Sequence, residues 1–196
     1  KAKYTFDIRK VELAIVDPSN PETDDVIVVP GALLKAGATV EDQVLPFGIH
    51  VLEYLPNSKL VKITPGSKPR ATAGAGLQLQ IEPRRSAAGA DTGGEVDVAA
   101  AYIQLLDKES HKPFATYLVN GMLNPQTVDV GGKPYDVSLR FKRTYRPYTL
   151  TLHDVRFDKY MGTQTAKNYS SDLRLVDPSR KVDRDVKIWM NNPLRF

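Results

Sequence analysis

The chain has 196 residues, of which 41% are hydrophobic and 26% are charged, and this is enough apolar sequence to bury a core. Its 27 basic and 23 acidic residues give a formal charge of +4, too small a surplus to indicate a nucleic-acid partner. The sequence contains no cysteine, which excludes disulfides, thiolate metal sites, a thiol nucleophile and a Cys-x-x-Cys-His haem attachment motif. No stretch reaches the ~18 apolar residues expected of a membrane-spanning helix.

Alternating apolar and polar residues predict strands that bury one face along much of the chain. The clearest alternations are residues 77–81, 135–141, 172–175 and 185–190. Residues 98–106 are rich in alanine, and we predict a strand there because a second apolar run follows at 114–119. Residues 31–44 are the best candidate for a helix.

Two of the predicted strands change the parity of their apolar positions from even to odd numbers. The changes fall at residues 9–10 and at residues 153–154. A one-residue shift of the apolar set predicts a β-bulge or a bend between two sheets.

Turn residues divide the chain into short strands. The Gly131-Gly132 pair predicts a tight hairpin, and residues 107–112 and 177–180 predict two further turns. Residues 64–76 and 83–95 are rich in Pro, Gly, Ser and Ala, and we interpret both as long, loose loops.

These patterns predict an all-β fold. About nine or ten short strands separated by Gly and Pro turns are typical of an antiparallel β-sandwich or a distorted barrel with long loops. The sequence lacks the alternation of strands and helices that doubly wound nucleotide-binding folds require. We expect one domain that spans residues 1–196.

No arrangement of residues indicates catalysis or metal binding. His50, His111 and His153 have no zinc-like spacing from one another or from acidic residues. Adjacent acids are more often solvated loop or strand edges than general acid–base pairs, and a Gly-x-Ser-x-Gly elbow is missing. We therefore predict a protein that is not an enzyme, with no metal and no cofactor held by this segment.

The most concentrated basic stretch alternates with aromatic residues, and its cations are Arg140, Lys142, Arg143 and Arg146. Such a stretch can hold an acidic partner, haem propionates or lipid headgroups. The alternative is a solvated strand face whose arginine stems cover apolar surface. Trp189 is predicted opposite the apolar residues of its strand, and with the four cations it completes the candidate partner-binding set.

The C-terminal third contains three short motifs whose combination resembles that of one protein family. They are Phe157-Asp158-Lys159-Tyr160-Met161-Gly162-Thr163, Ser170-Ser171-Asp172-Leu173-Arg174 and Met190-Asn191-Asn192-Pro193-Leu194-Arg195-Phe196. With the strand at 135–141 and the basic, aromatic run at 143–148, residues 133–196 resemble the end of the extracytoplasmic domain of the ResB (CcsB) family of cytochrome c biogenesis proteins.

The resemblance implies a non-catalytic domain of a larger membrane protein, whose transmembrane helices on both sides are absent from this sequence. It would lie at the extracytoplasmic (periplasmic) face of the bacterial cytoplasmic membrane. It would act as a scaffold or chaperone in the delivery of haem and apocytochrome c. The implied partners are a ResC/CcsA-like membrane protein, apocytochrome c and a thiol-reducing protein, and any haem would belong to the full-length complex.

A carbohydrate- or envelope-binding β-sandwich module is the alternative. Such a module needs exposed, coplanar aromatic rings on one sheet. The sequence offers Tyr117, Tyr135 and Tyr148. Alternation predicts that most of these rings lie on buried faces.

Overall fold

The computed structural model describes residues 2–19, 25–86 and 96–196, with the backbone alone for residues 2 and 3. The predicted all-β class is confirmed. The strands of the described ranges are β1 (Ala2–Asp17), β2 (Asp25–Pro30), β3 (Thr39–Val40), β4 (Phe47–Leu55), β5 (Ser58–Lys62), β6 (Leu79–Pro83), β7 (Ala100–Asp107), β8 (Pro113–Asn120), β9 (Gln126–Val130), β10 (Lys133–Lys159), β11 (Ala166–Asp177) and β12 (Val182–Trp189).

The described strands form three sheets. The largest has the order β12-β11-β10-β1-β2, with β9 also paired to β10. The second has the order β3-β4-β7-β8, and β5 pairs with β6 in a separate hairpin. None of these sheets closes into a barrel, so the sandwich is the correct one of the two predicted architectures. Within the described residues, no helix has the length and hydropathy needed to cross a membrane.

The helix predicted at residues 31–44 is wrong. Gly31–Leu33 form a single 3₁₀ turn, and β3 begins six residues later. The backbone between them makes one short turn, in which the N–H of Ala38 donates to the carbonyl of Lys35 at 2.9 Å, and then bonds to β4, since the N–H of Gly37 donates to the carbonyl of Val51 at 2.8 Å. The loop at 64–76 leads into a second 3₁₀ turn, Gly74–Leu77. Residues 87–95 of the second predicted loop lie outside the described residues.

The chain divides into two compact units. The larger unit is Asp7–Lys142, and the smaller unit joins the start of the chain, up to Phe6, with Arg143–Phe196. Strands β1 and β10 contribute residues to both. That residues 1–196 act as one domain stays a prediction.

The core of the larger unit lies between two sheets. On one side, β1, β2, β9 and β10 contribute Leu13, Ile15, Val29, Val128 and Val137. On the other side, β4, β7 and β8 contribute Phe47, Ile49, Val51, Ile103, Leu105 and Val119. The rings of Phe47 and Tyr135 meet edge to face, with centroids 5.6 Å apart. Interdigitation of this kind is typical of a β-sandwich.

Strand β7 is buried on both of its faces. Ala101 and Ile103 lie in the sandwich core, whereas Tyr102 packs with Leu118 on the opposite side of the sheet. The β5–β6 hairpin covers that side through residues that include Leu60. A strand covered on both faces needs no polar alternation. The alanine-rich run at 98–106 therefore forms a strand, as predicted.

The hairpin predicted at Gly131-Gly132 is confirmed. Val130 pairs with Lys133 across a two-residue turn, and both glycines have positive φ. This is the geometry that glycine adopts without strain in a type I′ turn. The turns predicted at 107–112 and 177–180 also join paired strands.

Replacing Phe47 by alanine should test the sandwich core. Phe47 is 1% exposed, so the change leaves a cavity and should lower the free energy of unfolding by about 3–5 kcal/mol. Phe114 lies on β8 and is 47% exposed, so Phe114→Ala should cost about 1 kcal/mol or less. Urea unfolding followed by far-ultraviolet circular dichroism measures both. Equal losses would mean that the two sheets do not enclose Phe47.

An ion pair ties the end of β1 to the start of β10. The Nζ atom of Lys133 lies 2.6 Å from Oδ2 of Asp17, and the N–H and hydroxyl of Ser19 donate to Oδ1. The hydrogen bond from Lys133 is the main cause, and the bonds from Ser19 the second, that lower the pKa of Asp17 from 3.8 to about 2. A carboxyl whose pKa is lower in the folded state stabilises the fold above the unfolded pKa.

Asp17→Asn should change the acid limb of the stability curve. The contribution of Asp17 is present above about pH 4 and is lost as the pH falls through about 2. Stability of the parent chain should therefore fall more steeply between pH 4 and pH 2 than that of the variant. Denaturant midpoints measured at half-unit pH intervals give both slopes. Parallel slopes would show that Asp17 titrates alike in the folded and unfolded states.

Candidate functional site

The smaller unit contains a sheet in which β11 lies between β10 and β12. Leu152 pairs with Leu173, which pairs with Val186, and Phe157 pairs with Tyr169. Directly opposed residues of neighbouring strands point to the same side of a sheet. The register therefore gathers apolar side chains on one side, which we call the apolar face: Leu150, Leu152, Val155, Phe157, Tyr169, Leu173, Leu175, Val186 and Ile188.

A bulge at His153 makes this face continuous. The ladder steps from Leu152 to Asp154 while β11 advances by a single residue, so His153 is the extra residue. Without it, Val155 would point to the opposite side from Leu152. The bulge predicted at 153–154 is confirmed. The irregularity predicted at 9–10 stays a prediction.

Much of the apolar face is open to solvent. Leu173 and Leu175 are buried, at 9% and 0% exposure. Four other members are exposed to 44–57%: Leu152, Val155, Phe157 and Tyr169. The rings of the last two stack with centroids 4.5 Å apart. In the part of the chain that the structure describes, no second layer covers these four side chains.

The opposite face of the same sheet is charged and internally paired. Its ion pairs are Arg156–Asp154 at 2.9 Å, Arg174–Asp183 at 2.8 Å and Lys187–Asp172 at 3.6 Å. The hydrogen bonds from Arg174 hold the pKa of the Asp183 carboxyl below its usual range. Trp189 pairs with Ser170 on this face and is 47% exposed. Its predicted position opposite Val186 is confirmed.

Two of the predicted basic residues belong to the larger unit. Arg140 donates from Nε to Oε1 of Glu12 at 2.9 Å, and the side chains are 16% and 5% exposed. Its charge is therefore matched inside the fold. Lys142 is exposed on the same strand.

The other two basic residues belong to the smaller unit and differ in position. The guanidinium carbon of Arg143 lies 4.7 Å from the ring centre of Tyr4, which in turn contacts Tyr145 and Phe6. This cation–π contact places the Tyr4 ring over the arginine and so occupies one side of its guanidinium. Arg146 is exposed, and its place three residues along the strand puts it on the opposite side from Arg143.

The three histidines form no common site. The hydroxyl of Thr39 lies 2.9 Å from Nδ1 of His50, whereas His111 lies 3.4 Å from a carboxylate oxygen of Glu41. His153 is exposed at the bulge. Across the described ranges, no three side chains of the types that bind metals come together.

Sequence reasoning missed the exposure of the apolar face. The alternation at 172–175 and 185–190 predicts one side of a buried core, and among these residues only Leu173 and Leu175 are buried. The pattern that marks a core face also marks a binding face. The two are separated by whether a second layer covers the face, and the described residues place no such layer over Leu152, Val155 and Phe157.

Comparison with known proteins gives one similarity of note. The chain is 30% identical over 95 residues to Protein NrfI of Wolinella succinogenes, a match that covers 48% of this chain. It covers 10% of that protein's length, so the chain corresponds to a small part of this relative. No family model matches the chain.

Glu12→Gln tests how much the buried Arg140–Glu12 ion pair contributes to the free energy of unfolding. The change leaves the Arg140 guanidinium without a counter-charge and should cost about 2–4 kcal/mol of unfolding free energy. Glu82→Gln breaks the exposed pair with Lys59 and should cost less than about 1 kcal/mol. Chemical denaturation measures both. If Glu12→Gln costs no more than Glu82→Gln, Arg140 is free to serve an external partner.

Proposed function

We propose that this chain is a non-catalytic, extracytoplasmic domain of a ResB-type protein that acts in cytochrome c biogenesis. In this role it would hold a ResC/CcsA-like membrane protein and apocytochrome c in position while haem is delivered, together with a thiol-reducing protein. Its place would be the periplasmic face of the bacterial cytoplasmic membrane. Haem would be bound by the full-length complex.

The similarity to NrfI supports a role in cytochrome c biogenesis. The ResB-like motifs support the same role: the first begins at the end of β10 and continues into the turn that follows, and the second lies on β11. The third, which begins at Met190, joins that sheet through the N–H of Met190, which donates to the carbonyl of Tyr169 at 3.1 Å. All three motifs therefore contribute residues to the β10–β11–β12 sheet or to the segments that adjoin it.

The open apolar face carries the scaffolding part of the proposal. Stable protein interfaces place aromatic and aliphatic side chains at their centre and polar residues at their rim. Phe157 and Tyr169 supply a stacked aromatic pair, with Leu152 and Val155 beside them. Lys159 lies at the rim, with Nζ 5.0 Å from the ring centre of Phe157. This arrangement supports docking of a protein at the apolar face.

The tyrosines that a carbohydrate-binding module would need pack inside this fold or against other rings. Tyr117 and Tyr135 are 9% and 8% exposed, as alternation predicted. Tyr148 packs against Phe196, with ring centroids 5.1 Å apart. These tyrosines are therefore not available as a sugar-binding platform, and we do not propose this function.

A double change on the apolar face should weaken partner binding. Val155→Ser with Phe157→Ser removes two central apolar side chains and should reduce affinity for a solubilised ResC/CcsA-like protein at least about tenfold. Val26→Ser with Val28→Ser is the matched control, since these valines are 37% and 41% exposed on β2. Biolayer interferometry measures both. Equal affinities of the two double variants would exclude this face as the docking surface.

The basic residues are tested in the same assay. Lys142→Ala and Arg146→Ala should lower the association rate and its salt dependence, since exposed rim charges act mainly on encounter. Arg140 is left intact because its change would unpair Glu12. Unchanged rates at low salt would remove the basic stretch from the interface. No detectable binding by the parent chain would contradict the proposed function itself.

A further inference from the structure

The loop between β10 and β11 presents a methionine at its apex. The N–H of Thr163 donates to the carbonyl of Tyr160 at 3.1 Å, and Gly162 has φ +77°. Positive φ at the third residue of a hydrogen-bonded four-residue turn indicates type II geometry, with Met161 at the second position. The N–H of Tyr160 also donates to the carbonyl of Thr165 at 3.1 Å. The apex is therefore preformed.

The apex is apolar and entirely exposed. Met161 has 101% of its reference surface in solvent, and its neighbour Tyr160 has 53%. Single exposed apolar residues are ordinary, but a contiguous set marks a contact surface. These two residues continue the strand that carries Phe157, which stacks on Tyr169 a few residues from the turn. The result is a protruding apolar tip.

Two lysines flank this tip. Lys159 ends β10 with its ammonium 5.0 Å above the Phe157 ring, so its stem follows apolar surface while its charge remains outside. Lys167 is the extra residue of a second irregularity, because β11 advances from Ala166 to Asn168 while β10 takes one step. Across the described ranges, neither lysine has a carboxylate within 4 Å.

The acidic residues near the tip are otherwise engaged. Asp158 accepts a hydrogen bond from Nδ2 of Asn168 at 3.4 Å, and Asp154 pairs with Arg156 at 2.9 Å. Residues 154–169, which include the Arg156–Asp154 pair, carry three cations and two anions, which gives a local surplus of 3 − 2 = +1. The tip therefore combines an apolar apex with a positive collar.

We propose that residues 159–167 form a membrane-contact tip that inserts Met161 and Tyr160 into the headgroup–acyl boundary of an anionic bilayer. Lys159 and Lys167 would lie at the level of the lipid phosphates, where each cation strengthens attraction to the surface. A convex apex whose central side chain is wholly exposed suits a deformable lipid surface better than a protein, which would need a matching cavity. The inference stands independently of the proposed function.

The absence of cysteine allows a direct test of insertion. Met161→Cys is labelled with an environment-sensitive NBD fluorophore and mixed with vesicles of phosphatidylcholine containing 30% phosphatidylglycerol. We expect the emission to shift to the blue and to rise at least about twofold as the label leaves water. Met122→Cys is the matched control, because Met122 is 74% exposed in the larger unit and should show no change.

Vesicle co-sedimentation tests the contribution of each group without a label. Met161→Ser should lower the partition constant about tenfold, and Met122→Ser should leave it unchanged. Lys159→Gln with Lys167→Gln should remove the preference for phosphatidylglycerol vesicles over pure phosphatidylcholine vesicles. Lys35→Gln with Lys68→Gln, two exposed lysines of the larger unit, should preserve that preference.

Three results would overturn the proposal. The parent chain could fail to sediment with either vesicle, the label at position 161 could respond no more than the label at 122, or both lysine pairs could have equal effects. If Met161→Ser instead weakened binding to a purified protein while vesicles had no effect, the tip would be a protein-docking site and the lipid assignment would be wrong.

Discussion

Burial of β7 on both faces is the constraint on which the larger unit depends. An apolar strand in the middle of a sheet needs a layer on each side, since every exposed apolar Å² costs roughly 25 cal/mol. Strands β1, β2, β9 and β10 supply one layer and the β5–β6 hairpin supplies the other. Ala100 and Ala101 keep the strand thin, which lets both layers approach closely.

The apolar face of the smaller unit is only partly buried, although the same free-energy cost of exposed apolar area applies to it. Within the described ranges, only Leu173 and Leu175 among the side chains of that face are buried, at 9% and 0% exposure. The bulge at His153 aligns Leu152 with Val155 on that face at the expense of one ladder position. The bulge therefore keeps the apolar face continuous although much of that face stays exposed, and the proposed scaffolding role depends on this feature.

Periodicity predicted most of the fold because it reports which side of each strand is apolar. It located the His153 bulge and the Gly131-Gly132 turn, since both depend on local geometry alone. It failed at residues 31–44, where the backbone of Gly37 bonds to a strand that follows in the chain. It also could not distinguish a buried apolar face from an exposed one, or show that Arg140 is paired with Glu12, because both depend on contacts between distant residues.

The two surfaces of the smaller unit have different physical demands. The apolar face is built on the hydrogen-bonded register of paired strands, so it suits a partner that is itself rigid and complementary. The tip is held by a type II turn and ends in a flexible thioether, which adapts to irregular apolar surroundings. Since both include residues of the β10–β11 hairpin, a ligand at either surface would stabilise the unit by binding only its folded form. A change at Met161 should therefore reduce the stabilisation that vesicles give, and a change at Phe157 should reduce the stabilisation that a protein partner gives, because Met161 belongs to the tip and Phe157 to the apolar face.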